Sequence, residues 1–349
     1  MPERWFDAGV PELRADICDV HGTREETFLL FGKQLTGTHA KLERRIVLTP
    51  LMAKRLAVGL ADVLREHEAQ SNATPAGRNQ SAASDDEAPA EARPMLALVR
   101  GLNVGFGFER SFKLSAGNLN ANRVIFGVRT KLVNRESVLG VCRTLGMPDR
   151  YLTQVEELLS EANTVGFGFE EGAYKIYLEF WDKLRQRVKR EPDNITPELL
   201  FVGYKWAIDD PARCALARYT CDPLLSIGGI RKRLGALYDD PAMPSLQAAR
   251  QIVDLAATRI GTNDSFVYVK AAEEGNPRKS FDLNLYKAGL TVGELYPMLW
   301  ALCEHYSIPR SHLDRLNAQI NSRIFGHLSG GIGRDGQDFL TVYYEIEAL

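Results

Sequence analysis

From about residue 100 onward, stretches in which every second residue is apolar come in pairs, and apolar residues at helical spacing lie between the pairs. The paired stretches are Val104 to Phe112 with Arg123 to Val133, Val165 to Phe169 with Tyr174 to Phe180, and Leu200 to Ala207 with Arg213 to Thr220. Two more follow: Phe266 to Ala272 with Ser280 to Lys287, and Ile324 to Ser329 with Phe339 to Ile346. Helical spacing fills Arg135 to Ala162, Asp182 to Arg190, Ser226 to Tyr238, Leu246 to Ile260 and Val292 to Ile320. The pattern predicts ten strands in five hairpins, with breakers such as Glu171-Gly172, Gly275-Asn276-Pro277 and Asp335-Gly336 at the turns. The hexapeptide VGFGFE occurs at Val104 to Glu109 and again at Val165 to Glu170, which points to repeated units.

Side chains alternate across a strand, so the second strand of each hairpin sorts its own faces. Tyr174, Ile176, Leu178 and Phe180 oppose Lys175, Tyr177 and Glu179; Leu340, Val342, Tyr344 and Ile346 oppose Thr341, Tyr343 and Glu345. Phe281, Leu283 and Leu285 oppose Asp282, Asn284 and Tyr286, while Val124, Phe126, Val128 and Leu132 oppose Arg129 and Lys131. The apolar faces would pack under helices. The polar face either lines the lumen of a closed barrel or forms the wet side of an open antiparallel sheet. Recurring tyrosines at Lys175-x-Tyr177, Asn284-x-Tyr286 and Thr341-x-Tyr343 favour the lumen, because a solvated face has little use for large aromatics.

Upstream, Thr27 to Phe31 and Arg45 to Leu48 read as strands, and Thr49-Pro50 starts a helix that runs to Glu68. The stretch QSNATPAGRNQSAASDDEAPAEARP has no large aliphatic or aromatic residue and cannot offset its ordering entropy. The organisation is therefore a β-β-α module over residues 1–69, a disordered linker over 70–94, and a large domain over 95–349. The predicted fold class is α+β: a ten-stranded antiparallel barrel of repeated αββα units with helices outside, plus the small module.

Composition narrows the functions. Of 349 residues, 43 are Lys or Arg and 45 are Asp or Glu, giving a formal net charge of -2 and no global field for nucleic acid or anionic membrane. No apolar run approaches the roughly 20 residues of a membrane helix. Glu3, Arg4 and Asp7 stand where a signal peptide would be basic and then apolar, so the expectation is a cytoplasmic protein. Cys18, Cys142, Cys214, Cys221 and Cys303 never fall in C-x-x-C spacing and read as ordinary thiols. The Asp209-Asp210 and Asp239-Asp240 pairs lack the third aspartate of a magnesium-binding D-D-x-x-D, His305 and His312 lack a third ligand, and no P-loop or nucleophile elbow occurs. Gly331-x-Gly333-x-x-Gly336 lies between two strands rather than before a helix, and reads as a hairpin loop.

Cations beside tyrosines in a water-excluding lumen suit one chemistry: holding a diphosphate and tolerating a carbocation. On the hairpin endings YKIYLEF (Tyr174 to Phe180), FDLNLYK (Phe281 to Lys287) and FLTVYYE (Phe339 to Glu345), with the five-hairpin order, the large domain resembles the ABBA-type (αββα barrel) prenyltransferases. The nearest branch is the one that modifies cyanobactin-like peptides. The N-terminal stretch, through Thr49, Pro50, Ala53, Lys54, Arg55 and Leu56, resembles a small bacterial domain family of unknown function. The first resemblance implies isoprenyl transfer from an allylic diphosphate to an aromatic small molecule or peptide acceptor. It also implies that no cofactor is required, with magnesium at most a companion of the diphosphate. It implies Arg129, Lys131, Lys175, Arg213 and Asn284 as diphosphate ligands and Tyr177, Tyr219, Tyr286 and Tyr343 as carbocation shields. Glu109 and Glu179 are the candidate general bases. The third hairpin departs from the pattern, since Ala217-x-Tyr219 lacks a base. That gap leaves room for an alternative: a non-catalytic barrel that binds a peptide or small ligand while the N-terminal module recruits a protein partner.

Overall fold

In the computed structural model, residues 17–22, 27–34, 40–48, 88–191, 194, 196–223, 225–260 and 266–347 are described. The chain divides into two compact units, Met1–Asn79 and Gln80–Leu349. In the first, strands β1 (Ile17–Gly22), β2 (Thr27–Gln34) and β3 (Ala40–Leu48) form an antiparallel meander in that order. The pattern predicted two of these strands. β1 (ICDVHG) escaped because its polar residues break the alternation. The helix predicted after Thr49 lies outside the described residues.

The second unit is a closed barrel. Its strands are β4 (Gly107–Ser115), β6 (Arg123–Arg129), β7 (Thr164–Glu170), β8 (Ala173–Glu179), β9 (Glu198–Ala207), β10 (Cys214–Asp222), β11 (Val267–Glu273), β12 (Lys279–Asn284), β13 (Phe325–Ile332) and β14 (Asp338–Glu347). Each pairs antiparallel with its neighbour in sequence, and β14 pairs with β4, Val342 opposite Phe112, which closes the ring. A three-residue strand, β5 (Asn118–Asn120), hangs on the end of β4. Closure decides between the two arrangements the alternation allowed: the ring has no unpaired edge, so the polar face is a lumen.

Helices run outside in the repeating order helix, strand, strand: α1 (Arg93–Arg100), α2 (Arg135–Thr144), α3 (Asp149–Leu158), α4 (Trp181–Arg190), α5 (Ile227–Gly235), α6 (Pro244–Ile260), α7 (Tyr296–His305) and α8 (Arg310–Ile320). Two long helical stretches of the sequence are broken in the fold, one at Gly146 (φ 72°) before Pro148, the other at Ser307 (φ 56°) before Pro309. α1 begins inside the stretch assigned to the linker, with a 3-10 turn at Ala90–Ala92 leading into it. Ala88 and Ala92 are buried there. Close packing of small side chains leaves no mark in a search for large apolar residues.

The outward faces of the strands fill two large cores beneath the helices, with a smaller cluster of Leu200, Cys221 and Val269 against Leu184 of α4. One gathers Phe126, Phe167, Ile176 and Trp206 under α1 to α3; the other gathers Phe281, Leu283, Leu328 and Val342 under α5 to α8. Trp206 is fully buried and donates its indole N–H to the Leu145 carbonyl at 3.0 Å. Burying each such side chain contributes about 1.5–3 kcal/mol, and the apolar period holds the strands in register so that every lumen position is fixed. The repeated VGFGFE follows this rule: Phe106, Phe108, Phe167 and Phe169 point to the core, while Glu109 and Glu170 line the lumen.

Candidate active site in the barrel lumen

The lumen has a volume of about 860 Å³. β8 lays out its chemistry in order, because Lys175, Tyr177 and Glu179 are alternate residues of one strand and all three line the cavity. At about 3.3 Å per residue, roughly 13 Å separate Lys175 from Glu179, with Tyr177 between them. Neighbouring strands continue the layers: Lys205 stands opposite Lys175, Gly203 opposite Tyr177, and Phe201 opposite Glu179.

One end is cationic. Lys113, Arg123, Lys175, Lys205, Arg278 and Arg334 line it, facing Glu170 and Glu273, with Asp335 and Asp338 at the β13–β14 hairpin. Glu170 pairs with Arg123 at 2.6 Å, with Lys205 at 3.6 Å and with Lys175. Glu273 pairs with Arg334 at 2.6 Å and Arg278 at 3.6 Å. Positive charge stays in excess and the lysines respond. Burial, then the neighbouring guanidinium groups, push Lys113 and Lys205 down to about 8, and burial with Lys205 and Arg123 alongside holds Lys175 well below the ordinary lysine range.

The middle layer is aromatic. Tyr177 and Tyr219 meet edge to face at 6.0 Å between centroids, Tyr219 meets Phe201 at 6.0 Å, and Tyr343 meets His327 at 6.0 Å. Gly203 makes room for this packing. A methyl group there would come within 2.9 Å of Tyr177 and 3.2 Å of Tyr219.

The opposite end carries Glu109, Glu179, Asp282 and His327. Tyr286 donates to Glu109 Oε2 at 2.8 Å, Trp181 Nε1 donates to Glu179 Oε2 at 3.0 Å, and His327 Nδ1 lies 2.9 Å from Asp282 Oδ1. Burial raises Glu109, and it lifts Glu179 to about 7 against the Trp181 hydrogen bond. For His327 burial disfavours the charged ring, but Asp282 and then Glu109 outweigh it and raise the imidazole to about 9. At neutral pH the end thus holds an imidazolium–carboxylate pair beside a glutamate poised to exchange a proton.

The fold brings Glu109, Glu179, Lys175, Asn284, Tyr177, Tyr219, Tyr286 and Tyr343 into the lumen, but it divides them between the two ends. Asn284 pairs in register with His327 and therefore stands with the carboxylates, away from the cations. Arg129, the last residue of β6, also lines the cavity, but at its exposed rim at that same end, while Arg123, the first residue of β6, joins the cations. Lys131 is exposed in a 3-10 turn at Thr130–Leu132, because the strand stops at Arg129 and the two-residue period with it. Arg213 is exposed in the β9–β10 turn, 2.5 Å from Asp209 and outside the cavity lining. The base missing from the second strand of the third hairpin is present on its first strand as Lys205. Arg278 and Arg334 belong to turns, where no period marks them, and the glycine-rich hairpin loop delivers Arg334 to the cavity.

Gly326 controls the carboxylate end. A methyl group there would lie 2.2 Å from the Tyr286 hydroxyl, whose ring sits 4.9 Å from that of His327. Gly326→Ala is expected to expel Tyr286 from its bond to Glu109 and to cost about 1–3 kcal/mol, measured by urea denaturation; an unchanged stability would show that Tyr286 moves freely.

Among the described residues, no helix is long and apolar enough to cross a membrane, and no group of three or more His, Cys, Asp or Glu side chains is placed to hold a metal ion. A family profile described as protein of unknown function DUF3467 matches residues 8–72. No curated protein matches the chain. Similar solved structures are prenyltransferases and related synthases. The 5-dimethylallyltryptophan synthase of Streptomyces coelicolor aligns with a TM-score of 0.47 at 15% identity, over 68% of this chain and 80% of that one. The 6-dimethylallyltryptophan synthase of Micromonospora olivasterospora, solved with DMASPP and Trp, gives 0.46 at 14% identity over 68% and 81%. The prenyltransferase PriB, solved with product diphosphate, gives 0.46 at 13% identity over 69% and 79%.

Proposed function

We propose that the barrel transfers an isoprenyl group from an allylic diphosphate to an aromatic or peptide acceptor. The observation that carries this reading is the order cation, tyrosine, carboxylate along the lumen, laid down on β8 by Lys175, Tyr177 and Glu179. Lysines and arginines at one end would hold the diphosphate oxygens through charge-assisted hydrogen bonds and absorb the charge of the leaving group. As the allylic C–O bond breaks, the carbocation would lie between Tyr177, Tyr219 and Tyr343, whose ring faces stabilise it where water is excluded. A carbon or heteroatom of the acceptor then forms the new bond, and its proton passes to Glu179, with Glu109 beside it. The cationic end supplies the neutralising charge from side chains alone, so in this reading magnesium is not required.

Incubation with dimethylallyl diphosphate and a panel of indoles, phenols and tyrosine- or tryptophan-containing peptides tests the proposal by mass spectrometry. A product heavier by one dimethylallyl group supports it. A rival reading, a barrel that binds without catalysis, draws on the ion pairs of Glu170 and Glu273, which already occupy five of the lumen's cations. Saturable diphosphate binding with no transfer to any acceptor would favour that rival.

The pH dependence has a definite sign. Glu179, raised to about 7, accepts a proton only once it has lost its own, so kcat/KM rises with pH through about 7. Lys113 and Lys205 hold phosphate only while protonated, and a bound diphosphate raises their pKa above about 8; their contribution to affinity is lost as the pH rises above that value. The expected profile is a bell with limbs near about 7 and about 8. A flat profile from roughly pH 6 to pH 9 would remove Glu179 from the base role.

A further inference from the structure

Lys175 and Lys205 face each other directly across β8 and β9, an arrangement that sheets ordinarily avoid because like charges in register repel. Arg123 stands two strands from Lys175, on β6, paired in register with Glu170 of the intervening β7. The Glu170 carboxylate reaches all three cations. One oxygen contacts Arg123 at 2.6 Å and Lys205 at 3.6 Å, and the other contacts Lys175. Glu170 is itself buried, 8% exposed, at the last position of β7 where the repeated VGFGFE ends. A buried carboxylate with three cations around it is held where an anionic ligand of those cations would sit.

We propose that Glu170 is a resident counter-anion of the diphosphate pocket, exchanged for the diphosphate when substrate binds and returned to the cations when product diphosphate leaves. This rests on the reading of the cationic end as a diphosphate site. In the free protein Glu170 holds Arg123, Lys175 and Lys205 together against their mutual repulsion, so the pocket is preorganised. On binding, the phosphate oxygens take over those contacts and the carboxylate is displaced. The exchange lowers affinity for diphosphate, and for the same reason it hastens release of the diphosphate product. Glu170 is thus a positioning residue that trades ground-state affinity for turnover.

The test is calorimetric titration of the full chain with inorganic pyrophosphate in EDTA, comparing wild type with Glu170→Gln. The proposal expects the variant to bind pyrophosphate at least tenfold more tightly and product inhibition by pyrophosphate to strengthen in parallel. It also expects a lower Tm without ligand and a larger rise in Tm on adding pyrophosphate. Equal or weaker binding by the variant would overturn it, because a purely structural Glu170 would leave the cations disordered. If Glu170→Gln does not fold, Glu170→Asp takes its place: the retracted carboxylate should bind pyrophosphate several-fold more tightly than wild type, and unchanged or weaker binding overturns the proposal. Binding by wild type with no gain in either variant defeats only the role given to Glu170. Absence of binding in wild type and variants alike defeats the diphosphate site itself, and this inference with it.

Discussion

Lys175→Ala should bind dimethylallyl diphosphate roughly a hundredfold more weakly than the wild-type protein, a loss of about 3 kcal/mol. Lys175 lies at the centre of the cationic end, with Lys205 opposite it and Arg123 reached through Glu170. Its removal takes away one donor and leaves Glu170 to neutralise a larger share of the cations that remain. The variant should stay folded, since Ile176 and Leu178, which fix β8 under the helices, are untouched. Calorimetry on a preparation with wild-type circular dichroism reads the effect. Unchanged affinity would take Lys175 out of the site and with it the order of chemistries along β8.

Glu179→Gln should abolish most of the transfer while leaving the diphosphate in place. A positioned general base contributes about 10²–10⁴-fold, and Glu179 suits the role because burial brings it to about 7, near the working pH. It stands on the far side of Tyr177 from the cations, so the variant's affinity for dimethylallyl diphosphate should change by less than about twofold. Glu109→Gln should behave differently. Glu109 is held by Tyr286, and its loss should act mainly on acceptor KM. Full activity in Glu179→Gln with loss in Glu109→Gln would exchange the two roles.

The alternation of apolar residues carried most of the architecture into view, because each hairpin must turn one face to the helices. Closure was not legible in the same way. It depends on β14 finding β4, a pairing between the two ends of the unit that no local period encodes. The lumen was readable wherever a strand kept its period, as at Lys175, Tyr177 and Glu179. It was misread where the strand stopped early: Lys131 continues the alternation of β6 on paper but lies in the turn after it. Arg213 is drawn out of the lumen by Asp209 and Asp210 in its own turn. Arg123 marked the first residue of a strand and Lys205 sat on the first strand of a hairpin judged by its second, so both cations passed unnoticed. His327 was a lone histidine in sequence. Its partner Asp282 meets it only through the pairing of β12 with β13, which sets Asp282 opposite Ser329 and Asn284 opposite His327.

In the proposed reading, one end of the lumen holds an allylic diphosphate with side chains alone. Calorimetric titration of the full chain with dimethylallyl diphosphate in EDTA tests it most directly. Saturable binding of one ligand per chain is expected, weakening as the pH is raised above about 8, where Lys113 and Lys205 give up their protons. No heat of binding in EDTA, or binding that does not depend on pH in that range, would contradict it.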